Sequence, residues 1–190
     1  MRRLISSILM VFILLTVVGC SSSQPDEIVN TFLKAAVKAD YLTMAKLVRG
    51  ADANIFYTPE DEGAQEVIEA ILGRVTYQVG EKQISGNTAT VKAKIVAPDL
   101  LRITALALPE LMSMAFAMFF SQEVASQDEI DALFMQYFEN AIKDPEAPMV
   151  ESNISIKLEK KGAGWVIVPD DELANALTGN MTKAFAEIGN

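Results

Sequence analysis

The chain has 190 residues, 51% of them hydrophobic, which is enough for one globular domain with a core of its own. Its 25 acidic side chains outnumber 16 basic ones, and that balance disfavours binding to nucleic-acid backbones. It has no histidine and one cysteine, which rules out an intramolecular disulfide or a thiolate cluster and removes the commonest general base and metal ligand.

The chain opens with Arg2 and Arg3, a positive n-region, followed by an apolar run from Leu4 to Val18. Fifteen residues is short for a membrane span, which takes about twenty. The run ends in Val17-Val18-Gly19-Cys20 and is followed by the polar Ser21-Ser22-Ser23-Gln24. This arrangement resembles the lipobox of bacterial lipoproteins. The resemblance implies a signal peptide over residues 1–19, acyl chains on Cys20, and a flexible tether over 20–24. At least two acyl chains are implied, and two signals are what stable anchoring requires. The expected location is the extracytoplasmic face of a cell membrane, with the membrane itself as first partner. Loss of Arg2 and Arg3 leaves 14 basic against 25 acidic side chains, a net charge of −11 that serves solubility.

Residues 25–190 read as one α+β domain. Pro25-Asp26-Glu27 starts a helix, with Pro in the first turn and acids at the positive end of the dipole. Ile28, Val29, Phe32, Leu33, Ala36 and Val37 recur along it at helical spacing, to about Asp40. Tyr41 to Val48 is a second, shorter helix stopped by Gly50. Residues 51–63 read as a loop. Its Glu60-Asp61-Glu62 cluster lacks the spacing of a calcium loop, and a solvated surface is the expectation. Ala64 to Leu72 is a third helix.

The period then changes to two. Val75 to Val79 alternates, and so does Thr88 to Val96, with Gly86-Asn87 as the turn between them. Ile154, Ile156 and Leu158 alternate later. Lys161 to Gly164 turns the chain, and Trp165 to Val168 returns as a second hairpin. Asp170-Asp171-Glu172 starts a last amphipathic helix expected to carry Leu173, Ala176, Leu177 and Met181.

Between the hairpins, about residues 99–148, lies a helical insertion of two segments. The first, Asp99 to Gln122, is almost wholly apolar, broken by Arg102, Pro109 and Glu110. The second, Gln127 to Ile142, carries Ile130, Leu133, Phe134, Tyr137, Phe138 and Ala141 on one face. The Met- and Phe-rich run is expected first to be a core helix covering the open face of the sheet. An interaction groove or homodimer face comes next, because methionine surfaces adapt to varied apolar partners. Membrane insertion comes last, since Arg102 and Glu110 would lie in the span. The candidate contact residues for a peptide, lipid or protein partner are Leu111, Met112, Met114, Met118, Phe119, Phe134 and Tyr137.

Helices followed by two antiparallel hairpins resemble the nuclear-transport-factor-2-like (NTF2-like) or cystatin-like cone, and in particular small lipoprotein domains of that group. The resemblance rests on the opening helix Asp26 to Ala35, the restart after Asp40-Tyr41, and Trp165 to Val168 followed by Asp171-Glu172-Leu173. It implies N-terminal helices packed on a curved antiparallel sheet. Some cones house enzymes with an Asp base and a Tyr donor, for which Tyr57, Tyr77, Asp99 and Tyr137 are the available residues. No nucleophile–base pair can be assembled from the spacing, and no cofactor or metal site is read. The expectation is a non-enzymatic binding protein for a small apolar ligand or peptide, with an envelope accessory protein or homodimer as the alternative.

Overall fold

A computed structural model describes residues 23–50, 62–120 and 126–181. Within them are six helices and a four-stranded antiparallel sheet. The signal-like run, Cys20, Tyr57, Glu60 and Asp61 lie outside the described residues.

Helix α1 is Pro25–Val37 and α2 is Tyr41–Leu47. The bend between them uses Ala39 at a positive φ of 52°. Asp40 then caps α2: its carboxylate accepts the Thr43 amide at 3.0 Å and the Thr43 hydroxyl at 2.7 Å. Helix α3 is Glu62–Gly73. Strands β1 (Thr76–Ser85) and β2 (Thr88–Pro98) form the first hairpin. Helices α4 (Leu100–Phe120) and α5 (Gln127–Lys143) form the insertion. Strands β3 (Met149–Lys161) and β4 (Gly164–Val168) form the second hairpin, and α6 (Asp171–Leu177) follows.

The sheet order is β1-β2-β3-β4, so the two hairpins join through β2 and β3. Those strands pair from Thr88 opposite Glu159 to Pro98 opposite Met149. One face of the sheet is apolar, presenting Val91, Ile95, Ile156, Leu158 and Ile167, all at most 2% exposed. Val29, Phe32, Leu33 and Ala36 of α1, Met44 of α2, and Leu173, Ala176 and Leu177 of α6 cover it. The other face is polar: Lys94 reaches Glu151 at 2.5 Å, and Lys157 reaches Asp170 at 3.0 Å. The sheet is open. Val48 covers part of its β4 edge through a parallel bridge to Ile167.

Two sequence expectations change. Strand β1 does not end at Val79. The register shifts between Val79 and Lys82, as a bulge does, and the strand continues to Ser85. The shift reverses the alternation, so Lys82 lies opposite Val91 on the helix side and reaches Asp26 of α1 at 2.7 Å. The last amphipathic helix stops at Leu177 and does not carry Met181. Gly179 and Asn180 both take positive φ, 58° and 63°, which ends the helix.

Met181 packs instead in a second apolar cluster at the end of the sheet where β2 stops. There Ile71 of α3, Leu100 and Ile103 of α4, and Ile142 of α5 are buried together. This cluster fixes the base of the α4–α5 hairpin.

Candidate interaction surface

Arg74 is a main tie between α3 and the hairpin. Its guanidinium donates to the carbonyls of Ile142 and Asp144 at the end of α5. A fork of donors suits these carbonyls, which α5 itself leaves unpaired. At the other end of α5 the Ser126 hydroxyl accepts the Glu129 amide at 3.3 Å, and the Glu129 carboxylate accepts the Ser126 amide at 2.8 Å. The Ser126 amide, and its hydroxyl at 3.0 Å, both donate to that carboxylate and lower the Glu129 pKa. Both ends of α5 are therefore set, and α4 is held beside it.

Helix α4 has two contrasting faces. Leu100, Ile103, Ala107, Leu111, Met114 and Met118 follow one another at steps of three or four; the first three are buried and the others half-buried. The opposite face carries Leu108, Met112 and Phe116 at steps of four, exposed by 54%, 52% and 59%, and Phe120 continues the step at 77%. Leu106, 68% exposed, flanks them. Steps of four build the ridge that most often packs into a facing helix. A helix apolar on both faces belongs between two partners, and among the described residues α5 supplies only one. Core burial thus holds for the first turns of α4 and fails for the rest. The apolar block does not cover the open face of the sheet.

Of the residues singled out from sequence, Leu111, Met114 and Met118 lie on the inward row and Met112 on the outward ridge. Phe134 and Tyr137 are half-buried on α5, and the Tyr137 ring meets Phe138 edge-on at 6.5 Å. The side chain of Phe119 is outside the described set. Leu106, Leu108, Phe116 and Phe120 belong to the exposed face without being among those candidates. The unbroken four-residue step through Leu108, Met112, Phe116 and Phe120 is the sequence signal that finds all of these but Leu106.

The polar surroundings have one sign. Between Arg102 and Lys143 the sequence has no Lys or Arg, while Glu110, Glu123, Asp128, Glu129, Asp131 and Glu139 are acidic. An open groove of about 590 Å³ between α3 and α5 is lined by Glu66, Asp128, Asp131, Leu133, Met135 and Glu139. A shallower depression of about 450 Å³ lies on the polar sheet face, among Gln78, Lys92, Lys94, Asn153 and Ser155. Both are open to solvent.

The residues considered for an Asp–Tyr pair are engaged separately. Asp99 accepts the Arg102 amide at 3.2 Å at the start of α4. The Tyr77 hydroxyl donates to the Asn30 carbonyl at 3.5 Å, and Tyr137 sits on α5. Tyr41 has a buried hydroxyl with no hydrogen-bond partner among the described residues, and burial followed by Glu69 raises its pKa.

Leu100–Met118 is long and apolar enough to cross a membrane by length and composition, with a mean hydropathy of 1.5 and 17% of the stretch buried. Its packing argues against crossing. The base of α4 and the end of α5 meet in one buried cluster, so a spanning α4 would require α5 to return across the bilayer. That return would carry Asp128, Glu129, Asp131 and Glu139 through hydrocarbon.

No protein-family model matches the chain, and no curated protein matches it. Among solved structures it is similar to a candidate lipoprotein (ycdA) from Bacillus subtilis, at 17% identity and a TM-score of 0.47. The similarity covers 82% of this chain and 46% of that one, so this chain spans less than half of that protein's length.

Proposed function

We propose that the chain is an extracytoplasmic lipoprotein, anchored by lipid on Cys20, whose body binds another protein through the outward face of α4 and performs no catalysis. The observation that carries the binding reading is the exposed row Leu108, Met112, Phe116 on a helix already packed on its opposite side. Exposed apolar patches of this kind mark interaction sites. A small enclosed ligand is the weaker reading, because both grooves are open to solvent. In keeping with the sequence resemblance, we read the helix-covered meander as an NTF2-like or cystatin-like body that serves as a platform for the hairpin.

Anchoring rests on the sequence around Cys20. Four residues separate it from Pro25, a reach of at most roughly 17 Å over the five Cα steps, so the body would stay close to the bilayer. Cys20→Ala should leave the membrane fraction or accumulate as an uncleaved precursor. A matured, normally anchored Cys20→Ala chain would refute the anchor. For the surface, a photo-reactive residue at Met112 should give protein adducts in cells, while one at Lys92 on the polar sheet face should give none. Equal adducts at both positions, or none at Met112, would refute docking on α4.

A further inference from the structure

We infer that the partner on α4 is a second copy of this chain, packed antiparallel along the Leu108–Met112–Phe116–Phe120 ridge, so that two hairpins make a four-helix bundle. The inference rests on the docking reading above and names its occupant.

Area supports a second copy. The exposed large apolar side chains of α4 leave roughly 500 Å² open to solvent, near the upper end for the largest patch of a monomer. A standard interface takes roughly 800 Å² from each partner, and Ala105, Pro109, Ser113 and Ala117 beside the ridge supply the remainder. The ridge is also fitted to itself, since rows with a four-residue step interdigitate with rows of the same step. An isologous contact needs only that one surface.

Charge argues against the bilayer as occupant. Helices that lie in a membrane interface carry Lys and Arg on their polar side, and this hairpin has none between Arg102 and Lys143. Its own acids leave the ridge almost untouched. Glu110 is the only charged residue of α4 beyond Arg102, and Glu66, Asp128, Asp131 and Glu139 line the groove between α3 and α5.

The direction follows from the same features. Two parallel copies would bring both sheet bodies to one end and place Glu110 level with its counterpart. An antiparallel pair centred near Met114 sets the bodies at opposite ends. It also separates the two Glu110 residues by about 12 Å along the axis. Met112 then faces Phe116 of the other copy, and Leu108 faces Phe120. Lipid anchoring would confine copies to a surface and raise their effective concentration.

The test uses full-length chain in its membrane, where a lipidated Cys20 leaves an introduced thiol as the only free one. Met112→Cys and Phe116→Cys should each cross-link to themselves with a short thiol reagent. Leu108→Cys should not do so alone, but should cross-link when co-expressed with Phe120→Cys. Phe116→Asp should be monomeric in mild detergent with an unchanged circular dichroism spectrum. Self-linking of Leu108→Cys as strong as that of Met112→Cys would overturn the antiparallel arrangement. No self-linking at Met112 or Phe116, with a monomeric wild type, would overturn the dimer. In that event, photo-adducts of another mass at Met112 would leave the docking reading standing, and their absence would remove both. Thiols at 112 and 116 shielded from aqueous maleimide without any cross-link would assign the bilayer and also overturn the dimer.

Discussion

A Cβ atom placed on Gly179 would lie 1.7 Å from the carbonyl oxygen of Pro98. The turn after α6 is thus pressed against the point where β2 hands over to α4. The Leu100 amide donates to the Gly179 carbonyl at 3.2 Å across the same junction. Glycine is required twice over here, by the contact and by a φ of 58°. Gly179→Ala should cost about 3 kcal/mol or more in urea unfolding. A loss below about 1 kcal/mol would mean that the junction relaxes easily.

Arg74 should be more than a surface charge. Arg74→Ala strips donors from the Ile142 and Asp144 carbonyls and should destabilise the fold by about 1–3 kcal/mol. Hydrogen exchange should rise selectively around residues 138–146. Arg74→Lys should restore only part of the loss, because an ammonium lacks the planar fork. Full restoration by Lys would reduce the tie to charge alone.

The two faces of α4 should differ in what they cost. Ile103 is 3% exposed, and Ile103→Ala should cost about 2–4 kcal/mol. Phe116→Ala, in protein too dilute to self-associate, should change stability by less than about 0.5 kcal/mol. Comparable losses at both positions would mean that the outward ridge is packed within the monomer.

Asp170 links pH to stability with a defined sign. Partial burial works to raise its pKa. The Leu173 amide at 3.0 Å and the Lys157 ammonium outweigh that and hold it below the ordinary aspartate value of 3.8. Lys157 is raised by the same hydrogen bond with Asp170. The carboxylate's contribution is therefore present above pH 3.8 and is lost as pH falls through the lowered value. The ammonium's contribution is present below its ordinary value and is lost as pH rises through the raised one. Asp170→Asn keeps a capping side chain but removes both dependences. Wild type and variant should converge in thermal stability at acid pH, differ most near neutrality, and differ less at alkaline pH, where the Lys157 part is lost and the bond from the Leu173 amide remains. A constant difference across the range would contradict this.

Much of the body was legible because its signals are local. The period-two runs in β2 and β3 mark the buried sheet face, and Pro25-Asp26-Glu27 and Asp170-Asp171-Glu172 mark two helix starts. Strand β1 beyond Val79 was not legible, since the bulge inverts the alternation and places Lys82 where an apolar residue is expected. The end of α6 turned on one backbone angle at Gly179, which a favourable amphipathic pattern through Met181 conceals. The functional surface was half legible. Composition pointed to the α4 block, but an apolar residue looks alike in a core and on a docking face. Only the position of α5 on one side of α4 separates Met114 from Phe116.

Strands β2 and β3 pair to their ends, with Pro98 opposite Met149, and the Asp99 amide donates to the Pro148 carbonyl at 2.8 Å. The chain therefore leaves the sheet and rejoins it at one doorstep, fifty residues later. Lengthening, shortening or exchanging the far part of the hairpin would leave every rung of the ladder in register. Selection can reshape what the protein grips without renegotiating how it folds.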